Sequence, residues 1–219
     1  MRLFTLFLLL FAALQLVACV SNSTTAYPTY LDYHKVYDNF PRMSSMGFAI
    51  KPPAGRGWFE AQVDSELLYR KKVGKNDYAI LSKATQLVFP SPDVSYATLE
   101  RVIRQRQGEF LNNPRYQKPN LTISRAEGRP SCAFYSLEYD DHGNDRVAAS
   151  SVVHVVSRGL LCSHPDMPQN GIELSYQEQR LNNATALSFR GEGEAFLNSL
   201  VMRPLYTAAR PVQASPATR

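Results

Sequence analysis

The chain has 219 residues, of which 44% are hydrophobic and 20% are charged, and its formal net charge at pH 7 is +5. These proportions are ordinary for a globular chain with a sizeable core, and the length suits one domain with tails better than two. No block of like charge is long enough to form a nucleic-acid-binding arm, so we expect no nucleic-acid partner.

The first nineteen residues have the pattern of a secretory signal. A single basic residue, Arg2, precedes an apolar run from Leu3 to Leu14, and small residues lead into Cys19. The sequence Leu16-Val17-Ala18-Cys19 resembles the lipobox of bacterial lipoproteins. The resemblance implies that residues 1–18 are a signal peptide, that Cys19 begins the mature chain, and that this cysteine carries acyl groups on its thiol and its new amino group.

Two other interpretations of this segment stay open. An uncleaved transmembrane helix would be slightly short of the roughly 20 residues that a bilayer requires, and no basic stop-transfer cluster follows it. Cleavage without lipid attachment would leave Cys19 as an odd thiol in an oxidising compartment. Val20 follows the cysteine, and in the sorting rule of enteric bacteria a residue other than Asp there implies the outer membrane. We therefore expect a lipid-anchored protein of the outer membrane whose domain faces the periplasm.

Residues 19–45 are predicted to form a tether that ends in an aromatic segment. Ser, Thr and Asn dominate the first part, as in flexible linkers. Tyr30, Tyr33, Tyr37 and Phe40 then recur at spacings of three and four, which predicts one side of a short helix. These side chains would pack on the domain or contact a protein partner or a membrane surface, since tyrosine suits half-wet interfaces. Pro41 ends the segment.

The next residues, 46–203, are predicted to form a single domain. Alternation of apolar and polar residues predicts strands near 46–51, 66–72, 78–89, 121–123, 131–140, 147–156 and 172–176. Apolar residues at helical spacing predict an amphipathic helix from about Ser95 to Leu111 and a last helix from about Glu192 to Met202. The tail 204–219, rich in Pro, Ala, Ser and Arg, is predicted to be disordered.

This order of elements predicts the α+β class, with helices packed on a single antiparallel sheet. Two short stretches, Gly47-Phe48-Ala49-Ile50-Lys51-Pro52-Pro53 with Gly57-Trp58, and Phe196-Leu197-Asn198-Ser199-Leu200, resemble the PsbP-like fold of photosystem extrinsic proteins and of some bacterial periplasmic and lipid-anchored proteins. The resemblance implies an α/β/α sandwich over about 46–203. It implies binding or assembly roles and no enzyme.

Two cysteines remain once Cys19 is assigned to lipid, and a periplasmic pair favours a Cys132–Cys162 disulfide. A hairpin that turns near Gly143 would place Cys132 opposite about Val155. The bond would then require the chain to turn back at Arg158-Gly159, because a straight strand would carry Cys162 roughly 23 Å too far.

The sequence contains few candidates for catalytic or metal-binding residues. His34, His142, His154 and His164 are scattered, and no pair has the helical spacing of a zinc site. Cys162-Ser163-His164 could place a thiol nucleophile beside a base, but such groups are rarely neighbours in sequence. Fragments of a calcium-loop pattern at 140–145 lack the terminal Glu. We therefore predict no catalytic residue, no metal and no cofactor.

The predicted function is that of an outer-membrane lipoprotein with a non-enzymatic periplasmic domain, which binds an envelope protein partner or assists an envelope assembly. One alternative is a binder of lipid or another small apolar ligand between the sheet and a helix. A less favoured one is a hydrolase. The densest basic patch, at Arg70, Lys71, Lys72 and Lys75, is either a solvated face or a contact for anionic lipid or lipopolysaccharide.

Overall fold

A computed structural model describes residues 32–73, 78–143, 151–181 and 190–204. Within these ranges the chain forms strands and three helices in the following order: β1 (His34–Lys35), β2 (Arg42–Met43), β3 (Phe48–Ile50), β4 (Phe59–Val63), β5 (Glu66–Val73), β6 (Tyr78–Val88), α1 (Tyr96–Arg106), α2 (Gly108–Asn112), β7 (Tyr116–Arg125), β8 (Cys132–Asp141), β9 (Val153–Ser163), β10 (Asn170–Leu181), α3 (Arg190–Asn198) and β11 (Val201–Met202).

Eight of the strands form one antiparallel sheet in the order β1-β4-β5-β6-β10-β9-β8-β7. Neighbours in this sheet follow each other in the chain, with two exceptions: β1 pairs with β4, and β6 pairs with β10. Three short strands form a second sheet in the order β11-β3-β2. It brings the start and the end of the described chain together, because β11 and β2 both pair with β3.

Residues directly opposite each other in antiparallel strands point to the same face of a sheet, so the register defines two faces. The face that carries Ala133, Tyr135 and Leu161 is called the back face. Helix α1 packs there through Leu99 and Ile103, which are almost completely buried. Ser95 caps the helix by accepting a hydrogen bond from the backbone N–H of Thr98.

The opposite face, which carries Ala84, Leu160 and Leu174, is called the front face. The small sheet covers one part of it with Phe48 and Ile50, and α3 covers another part with Phe196 and Leu197. Trp58 and Tyr69 complete this core, and both are about 1% exposed. The front face therefore carries the largest core cluster of the described residues.

The predicted fold class is wrong. We expected an α+β sandwich with helices packed on a single antiparallel sheet, but strands dominate the structure, a second sheet is present, and the three helices have only eleven, five and nine residues. Strands of two or three residues carry too little alternation to be recognised in a sequence, so the second sheet was missed. The α/β/α sandwich implied by the PsbP-like resemblance is therefore wrong as well.

The predicted aromatic helix is also wrong where the structure describes it. His34 and Lys35 form a strand opposite Glu60 and Phe59, and the backbone N–H of Val36 donates to the carbonyl of Trp58 at 3.0 Å. Backbone N–H and C=O groups that would bond to each other within a helix therefore bond to strand β4 of the large sheet. Cys19 and Tyr30 lie outside the described residues, as do the predicted signal peptide and the tail from 205 onward.

Two predicted helices are confirmed with changed ends. The first is divided at Gln107 into α1 and α2, and the last spans Arg190–Asn198. Val201 and Met202, which we placed in that last helix, form strand β11 instead. Among the described helices, none is long and apolar enough to cross a membrane.

Candidate binding surface beside the small sheet

The predicted disulfide is confirmed, although the predicted register is not. Cys132 and Cys162 are bonded and lie directly opposite each other in β8 and β9, with their Cα atoms 4.1 Å apart. Gly159 lies in the middle of a straight β9, opposite Tyr135. The register is displaced from the predicted one, since Cys132 pairs with Cys162 and Asp141 pairs with Val153. The bond is buried in the front core, which indicates a structural role.

A half-open cleft of about 260 Å³ lies between the small sheet and the front face of β4–β6. Its apolar lining consists of Met43, Phe48, Ile50, Leu67, Ala84 and Ile172. Polar side chains line other parts of it, and they include Arg42, Ser44, Glu60 and Gln86. Two pairs of these polar groups are already joined, since Arg42 binds Glu60 and the Ser44 hydroxyl donates to the Gln86 amide oxygen. An apolar lining with a few polar groups is typical of binding sites in proteins.

Arg42 fixes the chain segment that leads into this cleft. Its Nε lies 3.1 and 2.9 Å from the two carboxylate oxygens of Glu60 on β4. Its Nη1 donates to Asp38 Oδ1 at 2.7 Å and to the Phe40 carbonyl at 2.8 Å. The Phe40 N–H in turn donates to Asp38 Oδ1 at 3.0 Å. One guanidinium therefore holds the backbone around Phe40 in a defined position.

The hydrogen bond from Arg42 also acts on the carboxyl group of Asp38, because it lowers the pKa of that group. Asp38 consequently stays ionised to a lower pH than a free Asp carboxyl group, and the network around Phe40 keeps its charge pairing. On the other side of Arg42, burial and the neighbouring Glu60 carboxylate raise the pKa of Tyr69. The Tyr69 hydroxyl is therefore a protonated group and is unsuited to act as a general base.

This fixed segment presents large apolar side chains to solvent. Tyr37 is 85% exposed, Phe40 is 74% exposed and Met43 is 54% exposed. Single exposed apolar side chains are common, but Phe40 and Met43 are only three positions apart, and Pro41 to Ser44 line the cleft. We use the name cleft surface for the surface formed by Phe40, Met43 and the lining of the cleft. Its combination of exposed apolar side chains and an adjacent recess is typical of a protein interaction site.

Of the four aromatic residues that we grouped from the sequence, the structure describes Tyr33, Tyr37 and Phe40, and these three do not form one cluster. Tyr33 lies under the guanidinium of Arg70, with 3.8 Å from the carbon of that group to the ring centroid, and the Nζ of Lys35 lies 5.3 Å from the ring centroid of Tyr37. Phe40 belongs instead to the braced segment beside the cleft.

Two residues of the predicted basic patch, Arg70 and Lys71, lie on opposite faces of β5. Arg70 stacks on Tyr33, whereas Lys71, the next residue of β5, points to the opposite face. There its Nζ lies 2.7 Å from Glu192 Oε1 on α3, and Trp58 donates to the other oxygen of the same carboxylate at 2.7 Å. Lys71 is thus part of the domain's internal structure.

Sequence reasoning missed Arg42, Glu60 and Met43. The pair Arg42 and Glu60 is separated by eighteen residues, and nothing in the sequence links a single Arg to a single Glu at that distance. The only local signal was Pro41, which we used to end a helix. A strand of two residues at Arg42–Met43 leaves no periodicity to recognise.

Two of the described histidines, His154 and His164, form hydrogen bonds with other residues of the chain. His154 Nδ1 lies 3.0 Å from Asp140 Oδ1, and this hydrogen bond, followed by that of Lys118, lowers the pKa of Asp140. His164 is fully buried, and its Nε2 donates to the Arg203 carbonyl at 2.9 Å, while its Nδ1 faces the N–H of Asp166 at 3.1 Å. These hydrogen bonds involve no Ser or Cys side chain, so they give no support to the hydrolase alternative.

In the part of the chain that the structure describes, no group of three His, Cys, Asp or Glu side chains is arranged to hold a metal ion. A second groove, of about 250 Å³, lies between α3 and the front face of β7–β9. It is lined by Ala126, Phe134, Leu160, Leu197, Arg125 and Arg129. The Arg129 guanidinium donates to the Asn198 carbonyl at 3.2 Å, which ties the groove's edge to the end of the helix.

Comparison with known proteins gives no relative: no protein-family model matches the chain, and no curated protein matches it.

Proposed function

We propose that the protein is a lipid-anchored lipoprotein of the outer membrane whose periplasmic domain is not an enzyme and binds a protein partner through the cleft surface. The lipid anchor at Cys19 is inferred from the sequence alone. The observation that carries the binding role is that Phe40 and Met43 are 74% and 54% exposed beside a cleft with an apolar lining.

The arrangement fits a protein partner for two physical reasons. Phe40 supplies a large apolar contact whose backbone is already fixed by Arg42, so little conformational entropy is lost when it is covered. The cleft can accept an apolar side chain of the partner, and an anchor residue in such a recess commonly supplies much of the binding energy. The paired polar groups Arg42–Glu60 and Ser44–Gln86 can remain bonded to each other while the cleft is filled.

Purification of the intact lipoprotein from membranes, followed by quantitative mass spectrometry of the proteins retained, tests this role. Phe40→Ala and Met43→Ala should each reduce the retained partner. A truncated interface anchor costs about 2 kcal/mol or more, which corresponds to about a 30-fold loss of affinity. Val88→Ala is the matched control, because Val88 is a 71% exposed apolar residue outside the cleft lining. Retention of the same partner by all three variants would contradict the proposal.

The anchor requires its own test, because the binding role does not depend on it. Metabolic labelling with a fatty acid should mark the wild-type chain, and Cys19→Ser should abolish the label. The same substitution should move the chain out of the membrane fraction. A Cys19→Ser chain that still takes the label would refute lipid attachment at this residue.

The groove under α3 favours a second candidate function, the binding of a small apolar ligand. Phe134, Leu160 and Leu197 provide apolar walls, and Arg129 at the groove's edge could hold an acidic head group. Organic extraction of the purified chain should then release a ligand in stoichiometric amount. Ala126→Phe, which fills the groove, should abolish it, and a wild-type chain without any extractable ligand would exclude this function.

A further inference from the structure

One corner of the large sheet groups aromatic and cationic side chains on its back face. Lys35 on β1 lies directly opposite Phe59 on β4, and Phe59 lies opposite Arg70 on β5, so the three side chains share one face. Tyr33 and Tyr37 join them through the ring contacts with Arg70 and Lys35. We call Tyr33, Lys35, Tyr37, Phe59 and Arg70 the cation–aromatic corner.

Helices α1 and α2 do not cover this corner. They contact mainly β7, β8 and β9, and Arg106 at the end of α1 binds Glu173 on β10, so these contacts lie away from β1, β4 and β5. Lys35 and Arg70 are exposed, Phe59 is 38% exposed, and Tyr37 is 85% exposed. The corner also differs from the cleft surface, because the cleft lies on the front face and the corner on the back face. The two surfaces can therefore be occupied independently.

The charges of this corner are not neutralised within the described part of the chain. Neither Lys35 nor Arg70 has a carboxylate within ion-pair distance there, whereas many of the other described cations have one: Arg42, Lys71, Lys83, Arg104, Arg106, Arg115, Lys118, Arg158, Arg180 and Arg190. A cation that rests on an aromatic ring keeps its full positive charge. The corner therefore presents two uncompensated positive charges among apolar rings.

We propose that the cation–aromatic corner docks on an anionic lipid surface. Lys and Arg beside Tyr and Phe are the residues that interfacial protein segments use, because the cations attract lipid phosphates and the rings enter the interface. The proposal rests on the lipid anchor of the proposed function. Tyr33 follows Cys19 by only 14 positions (33 − 19), and 14 residues can reach at most roughly 50 Å. The anchor would thus hold this corner, rather than a distant one, near the membrane.

Surface labelling of the intact lipidated chain tests this docking. The chain is reconstituted in vesicles of phosphatidylcholine, or of phosphatidylcholine with phosphatidylglycerol, and exposed to a brief pulse of an amine reagent. We expect Lys35 to react at least about fivefold more slowly on the anionic vesicles, the factor that one cation at such a surface supplies. Arg70→Gln should remove most of this protection, and high salt should do the same because it screens exposed charges.

Lys118 is the internal control. It lies on β7, at the opposite edge of the sheet from β1, and its side chain is 82% exposed. Its labelling should not depend on the lipid. Equal labelling of Lys35 on both kinds of vesicle, or equal slowing of Lys35 and Lys118 on the anionic ones, would overturn the proposal. Protection of Lys35 that appears only when an acidic protein from the envelope is added would overturn it in favour of a protein partner.

Flotation of the same vesicles shows whether a negative result comes from the docking or from the anchor. A chain that floats with both vesicle types but leaves Lys35 unprotected has the anchor without the docking. A chain that floats only with anionic vesicles, with Lys35 protected, has the docking without the anchor.

Discussion

Replacement of Gly159 by alanine should destabilise the domain strongly. A Cβ atom at this position in β9 would lie 2.2 Å from the ring atoms Cε1 and Cζ of Tyr135, whereas ordinary contacts begin at 3.4 Å. The ring would have to move by roughly 1.2 Å, the difference between these two values. Tyr135 is 1% exposed, so it has little free space in which to move.

The expected free-energy change follows from two effects. Overpacking of a core costs about 1–3 kcal/mol. Displacement of the ring also weakens the hydrogen bond of 2.7 Å that the Tyr135 hydroxyl donates to the buried carboxylate of Glu173, and a bond to a charged group contributes about 1.5–3 kcal/mol. Gly159→Ala should therefore lower the free energy of unfolding by about 3–5 kcal/mol.

Urea unfolding followed by the fluorescence of Trp58, the single tryptophan, measures this effect. Gly191→Ala is the matched control, because Gly191 lies in α3 and its added Cβ would meet nothing within 4 Å. It should be neutral or stabilise by up to about 1 kcal/mol, as expected for Gly→Ala in a helix. If Gly159→Ala changed the stability by less than about 1 kcal/mol, the close packing of Tyr135 on β9 would be refuted.

Two further predictions concern stability. Replacement of both Cys132 and Cys162 by Ala should lower the free energy of unfolding by about 3–4 kcal/mol, the chain-entropy value for a loop of 30 residues. An unchanged midpoint of urea unfolding would contradict a bond that restricts the unfolded chain. Hydrogen bonds from His154 and then from Lys118 lower the pKa of Asp140 in the folded state. Ionised Asp140 therefore stabilises the fold at pH values above about 4, the pKa of Asp in the unfolded chain. This contribution is lost as the pH falls through the lower pKa of the folded state. The stability difference between wild type and Asp140→Asn should consequently shrink as the pH falls from 6 to about 2, and a difference that does not vary with pH would refute the pairing.

The elements that the sequence predicted well are long and periodic. The amphipathic pattern around Leu99 and Ile103 identified the helix that packs on the back face. The strands predicted near 78–89, 131–140 and 172–176 correspond to β6, β8 and β10, although the last prediction covered only five of the twelve residues of β10. The disulfide was predicted from the compartment and the number of cysteines, neither of which depends on the strand register.

Other features could not be predicted because their cause lies in distant parts of the chain. The spacing of Tyr33, Tyr37 and Phe40 suits a helix, but β4 offers hydrogen bonds to the same segment, and β1 forms instead. Gly159 suggested a turn, whereas it is a strand residue whose missing side chain makes room for Tyr135. The braced segment around Phe40 depends on an Arg42–Glu60 contact that only the folded chain creates.

The central claim, that the cleft surface binds a protein partner in the envelope, is tested most directly by photo-crosslinking in living cells. A photoreactive amino acid is placed at position 40 of the intact chain, or at position 88 as the exposed control. We predict a discrete crosslinked species that contains one envelope protein from position 40 and none from position 88. No crosslinked protein from position 40, or the same proteins from both positions, would contradict the account.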